Sequence, residues 1–155
     1  MARKILLIVL AVFLTALEGC AEEYLADPVL EPQDFMGVKW GQDVSSVAGL
    51  SETYRSEDGD MAVYIRSDDV KLFGRVKLDS IEYVFVRNKL TRGSLIAKGP
   101  YNEAALLKEA LNTYGKETAR VGDDYMWRFT DANVMFSSEP QLEQSVLFYT
   151  YLPRK

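Results

Sequence analysis

The sequence predicts an α+β domain: a two-layer antiparallel sheet with helices packed on one face. Three observations lead there. Asp58-Gly59 separates two short alternating segments, which is the signature of a hairpin. Residues 102–114 carry Ala104, Leu107, Leu111 and Tyr114 at helical spacing, the firmest helix in the chain. Alternating segments then resume around Trp127 and Phe148, so strands flank that helix on both sides. The resulting order of helix, strands, helix, strands also suits two helix-plus-strands units in tandem.

Taken in order, residues 35–41 form a short apolar segment ending at Gly41. Gln42 or Asp43 can then open a short helix with Val44, Val47 and Ala48 inward and Gly49 closing it. Strands are expected over 51–55 and 61–67, with Met61, Val63 and Ile65 on one face. A polar break at Ser67-Asp68-Asp69 leads to the short apolar Leu72-Phe73 and to Gly74. Residues 80–86 and 90–97 make the strongest strand pair, joined at Arg87-Asn88-Lys89 and ended by Gly99-Pro100. Asn102 is the expected N-cap of the main helix and Gly115 its terminator. Strands follow over 125–130, 134–137 and 146–152, with a turn at 131–133 and a polar loop bearing Pro140.

Bulk chemistry excludes several functions. The 155 residues amount to one domain's worth of chain. Net charge is −5, and from Cys20 onward 16 basic residues face 22 acidic ones. An acidic body without a Lys/Arg cluster argues against nucleic acid, where neutralising phosphates dominates affinity. Histidine is absent, which removes the usual acid–base side chain near neutral pH. A lone cysteine allows no intramolecular disulfide, CxxC redox pair or cysteine-rich zinc site.

The N-terminus reads as an export segment. Arg3 and Lys4 precede an uncharged, mostly apolar run over residues 5–17, too short at about 20 Å as a helix to span a bilayer core of about 30 Å. Leu17-Glu18-Gly19-Cys20 resembles the bacterial lipobox, in which an invariant cysteine becomes lipidated. Glu18 departs from the small residue usual at its position. The resemblance implies a signal peptide over 1–19 and acyl chains on Cys20, the predicted lipidation site, enough for stable anchoring. Ala21 after the cysteine favours the outer membrane. Gly19-Cys20-Ala21 is also a small-x-small site, and cleavage after Ala21 would discard the cysteine. Residues 20–34, with five acids, two prolines and no basic residue, read as an extended acidic linker, leaving 35–155 as a single domain. The expected location is the cell envelope, lipid-anchored and facing the periplasm.

Candidate chemistry is thin. Glu57-Asp58-Gly59-Asp60, Asp68-Asp69 and Asp123-Asp124 are acidic turns, none with the spacing of a calcium loop. There is no G-x-S-x-G elbow, no S-x-x-K frame and no phosphate cradle. No catalytic residue, metal site or cofactor is therefore assigned. The aromatics carry more. Tyr125, Trp127 and Phe129 alternate on one strand, and on the last strand Phe148 faces opposite Tyr149 and Tyr151. Both faces of that strand are apolar, whereas a sheet covered on one side needs only one such face. Trp127, Phe148, Tyr149 and Tyr151 are accordingly the candidate interface for a protein partner, with core as the alternative.

Trp40-Gly41, Val47 and Gly49-Leu50 follow a W-G-x-x-x-x-x-V-x-G-L pattern similar to one near the start of many small proteobacterial envelope proteins. More loosely, the segment resembles the helix motif of the SmpA/OmlA outer-membrane assembly lipoproteins, though the proline after Gly49 is missing. The doubled helix-and-strand order resembles the β-lactamase-inhibitor-protein-like architecture. These resemblances imply a non-enzymatic, lipid-anchored module that binds another envelope protein, as scaffold or assembly accessory. The alternative is a periplasmic inhibitor or small-ligand binder on the same fold.

Overall fold

The computed structural model describes residues 24–153. The predicted signal peptide, Cys20 and the first part of the predicted linker lie outside the described residues. From the N-terminal side, β1 (Asp34–Phe35) and β2 (Val38–Lys39) form a small hairpin, followed by β3 (Leu50–Arg55) and β4 (Met61–Arg66). A second small hairpin, β5 (Leu72–Phe73) and β6 (Val76–Lys77), precedes β7 (Ser80–Val86) and β8 (Lys89–Lys98). Helix α1 (Pro100–Tyr114) then leads to β9 (Ala119–Val121), β10 (Asp124–Arg128), β11 (Ala132–Glu139) and β12 (Gln144–Tyr151). Eight strands make one antiparallel sheet in the order β3-β4-β7-β8-β12-β11-β10-β9. It is two four-stranded meanders joined edge to edge where β12 pairs with β8.

The α+β class holds, but the fold is mostly sheet, with a single α-helix among the described residues. The short helix expected over 42–49 is only a 3-10 turn, Val44–Ser46. Gly41 and Gly49, at φ of +73° and +77°, bracket it. Inside it, the Asp43 carboxylate accepts from the backbone N–H and hydroxyl of Ser45, while the Ser46 hydroxyl donates to the Asp43 carbonyl. Such local bonds compete with helix propagation.

Helix α1 starts earlier than its sequence pattern suggests. Pro100 sits in its first turn, where a missing N–H costs nothing, and Gly99 is the N-cap. Asn102 is inside the helix and donates its amide to the Lys98 carbonyl instead. The buried stripe is Leu106, Ala110 and Tyr114, flanked by half-buried Leu107 and Leu111, while Ala104 points outward. Gly115 ends the helix at φ +75°, its N–H returning to the Leu111 carbonyl.

The helix and both small hairpins cover the same face of the sheet. Phe35 of β1 shows how closely. On that face Gly93 lies between Tyr83 of β7 and Tyr149 of β12 in register. A Cβ at Gly93 would overlap the Phe35 ring, so the glycine lets the ring lie directly on the strand backbone. Phe35 then meets Tyr83 edge-on at 5.2 Å and Tyr149 at 5.1 Å between ring centres.

Residues 24–34 correct the expected extended linker. The Ala26 N–H donates to the Arg128 carbonyl at 2.7 Å, and Ala26 is buried. Asp27 caps a 3-10 turn over Pro28–Leu30. Glu31 accepts from the Asp131 N–H, and the Trp40 indole donates to the Pro32 carbonyl. A segment whose polar groups are met this way is a strap on the domain rather than a free spacer.

Candidate functional site: the uncovered face of the sheet

Helix α1 and both small hairpins leave the second face of the sheet to itself, yet that face is rich in apolar side chains, of which Val84, Ile96 and Val146 are buried. Period-2 alternation sends Met61 and Val63 of β4, Val84 of β7, Ile96 of β8, Val146 and Phe148 of β12, and Met135 of β11 there. Phe148 stands directly across from Met135 on one side and Ser94 on the other, with Glu82 beyond Ser94. Thr150, Arg92, Val84 and Val63 form the next row. Met61, Val63, Glu82, Val84, Arg92, Ser94, Phe148 and Thr150 line a shallow groove of about 70 Å³. That is well below the roughly 300 Å³ at which small-molecule pockets begin. The groove is an indentation in a broad face.

The four aromatics expected at an interface separate. Phe148 lies on the uncovered face, half-buried. Trp127 is fully buried beneath the helix, its indole donating to the Gly115 carbonyl at 2.9 Å. Tyr149 is also in the core, its hydroxyl 2.9 Å from that of Tyr114. Burial pushes the Tyr114 hydroxyl up to about 12 and the Tyr149 hydroxyl well above the ordinary tyrosine value. Tyr151 is half-buried on the covered side, stacked on Trp40 at 5.8 Å. Trp127 and Tyr149 are thus excluded as interface residues, because the helix and the Phe35 hairpin need that face.

The residues that sequence reasoning missed are Val63, Val84, Ser94 and Met135. A signal for them existed. In β7 the run Tyr83-Val84-Phe85-Val86 is apolar without interruption, the same surplus that marks β12.

The acidic turns do not form a site together. Asp58 accepts from Ser56 and from the Asp60 N–H, which closes its own turn, and Asp60 pairs with Arg87. Asp69 is buried, but it is satisfied. Arg66 pairs with it at 2.7 Å and the Tyr83 hydroxyl donates to it at 2.9 Å. Burial, then that bond to Asp69, raises the Tyr83 hydroxyl above its ordinary value. Asp124 opens β10, one strand from the edge. Among the described residues no group of three or more metal-ligating side chains comes together. No family model, curated protein or solved structure matches this chain.

Proposed function

We propose that this chain is an envelope lipoprotein, anchored through Cys20, whose domain does no chemistry and binds another envelope protein through the uncovered sheet face around Phe148. The observation that supports it is the contrast on that face. Apolar side chains from five adjacent strands share a face that carries neither α1 nor the small hairpins; Val84, Ile96 and Val146 are buried there, while Met61, Val63, Met135 and Phe148 stay half-buried, with Glu82, Arg92, Ser94 and Thr150 set among them. Large apolar and aromatic side chains with a few hydrogen-bonding groups among them are a common composition of protein interfaces. The shallowness of the groove favours a partner surface over a small ligand. The two meanders also suit the tandem-unit reading, with the 3-10 turn and α1 each preceding four strands of the main sheet. Outer-membrane placement follows from Ala21 alone.

A photo-crosslinking amino acid at Phe148, compared with one at outward-pointing Ala104 on the covered side, tests the interface in intact cells. A discrete crosslinked partner at 148 and none at 104, lost again when Val63 is changed to Asp, supports the reading. Equal labelling from both positions would sink it. Acyl labelling of wild type against Cys20→Ser tests the anchor. Unacylated mature protein beginning at Glu22 would replace it with cleavage after Ala21.

A further inference from the structure

The strap over residues 24–30 presents large apolar side chains to solvent at one end of the sheet. Tyr24 is 76% exposed and Val29 86%, with Leu25 at 45% and Leu30 at 37%. Ala26 between them points inward and is fixed to Arg128. Leu30 rests beside Gly115, where α1 ends, and Leu152, 38% exposed, emerges at the same end of the sheet through its bond to Asp131. Such a cluster is costly in water at about 25 cal/mol per Å² of apolar area. Nothing in the core requires it.

The geometry points to a seat on the lipid leaflet: Tyr24, Leu25, Val29 and Leu30 enter the headgroup region of the bilayer that carries the anchor. This rests on the proposed acylation of Cys20. Its argument is reach. Ala26 lies six steps along the chain from Cys20, and a fully extended chain covers at most about 3.6 Å per residue, so the fixed strap lies within about 22 Å of the acylated sulfur's backbone. Tyr24 is closer still, within about 14 Å by the same measure. A tether this short obliges the end of the domain bearing the strap to face the membrane, and the exposed side chains there match what that zone accepts. Tyrosine prefers the membrane–water interface, and leucine and valine the acyl boundary just below. Asp27 and Glu31 on the strap carry the wrong sign for anionic lipid, so the seat is apolar rather than electrostatic. The sheet then stands on its end, with its uncovered face turned sideways along the membrane surface.

The test uses the full acylated chain in phosphatidylethanolamine–phosphatidylglycerol vesicles. Acylation consumes the Cys20 thiol, so Val29→Cys and, separately, Tyr101→Cys each offer one site for a fluorescent label. Tyr101 is 91% exposed at the opposite end of the sheet, in the first turn of α1. Nitroxide-bearing lipid is expected to quench the label at 29 several-fold more than the label at 101, with aqueous iodide giving the reverse order. If the protein floats with the vesicles but both labels are equally open to iodide, the seat is overturned while the anchor stands. If it does not float, the anchor reading falls and takes the seat with it.

Discussion

The two faces of the sheet are built from the same strands and nearly the same residue types, yet they end in different states. On the covered face the polar tips of the buried aromatics find partners: the Trp127 indole reaches Gly115, Tyr149 meets Tyr114, and Tyr83 donates to Asp69. On the uncovered face Phe148 faces Met135 and Ser94 and remains half-buried, and Val63 and Met61 line an open groove. Alternation supplies apolar side chains to both faces. What lies over them decides which become core, and α1 with the two small hairpins lies over only one.

That contrast can be broken at its strongest point first. Trp127→Ala should cost about 3–5 kcal/mol by opening a cavity under the helix, read as a lowered urea midpoint. Gly93→Ala should cost about 1–3 kcal/mol, because the added methyl collides with the Phe35 ring. Shortening that ring by Phe35→Leu should then cost less in the Gly93→Ala background than alone, and full additivity in the cycle would show that the two do not touch.

The tyrosine pair gives a pH-dependent version. Below pH 10 Tyr114 and Tyr149 are neutral in both folded and unfolded chains, so their contribution is fully present. Above pH 10 the unfolded chain releases these protons, while burial keeps the Tyr114 hydroxyl protonated up to about 12 and holds that of Tyr149 well above its ordinary value. Stability should therefore fall as pH rises from about 10 to 12, by about 1.4 kcal/mol per pH unit for each tyrosine still held neutral. The Tyr114→Phe, Tyr149→Phe double variant should show a shallower loss in urea titrations over that range. The smallest stability effect belongs to the uncovered face. Phe148→Ser should cost below about 1 kcal/mol while abolishing capture of the partner by a photo-crosslinking amino acid placed instead at Thr150 on the same face, and a large loss of stability would make Phe148 core.

Much of this was legible in the sequence because local signals matched the tertiary structure. Asp58-Gly59 and Arg87-Asn88 are turns where the chain expects them, the latter with both residues at positive φ, as two-residue hairpin turns require. Period-2 alternation correctly opposed Phe148 to Tyr149 and Tyr151. It could not say which side the helix would take, since Trp127 and Phe148 are equally apolar and coverage is a long-range property. Val44 to Ser46 failed differently. Its apolar spacing was helical, but the Asp43 and Ser46 bonds and two flanking glycines stop it after one turn. The strap over 24–34 has no apolar period, so its sequence reads as a tether. Its attachment uses backbone bonds and single side chains reaching Arg128 and Asp131, about a hundred positions away, and leaves no periodic trace.

The seam between β8 and β12 governs the order in which the molecule can assemble. β12 is the last strand of the chain, but it occupies the middle of the sheet, and without it the two meanders share no edge. Phe35, near the start of the described chain, reaches its final position only once Tyr149 has arrived. Closure is therefore non-local, and chains dominated by distant pairings fold slowly. A nascent chain stopped before residue 144 holds two open sheet edges and no completed core.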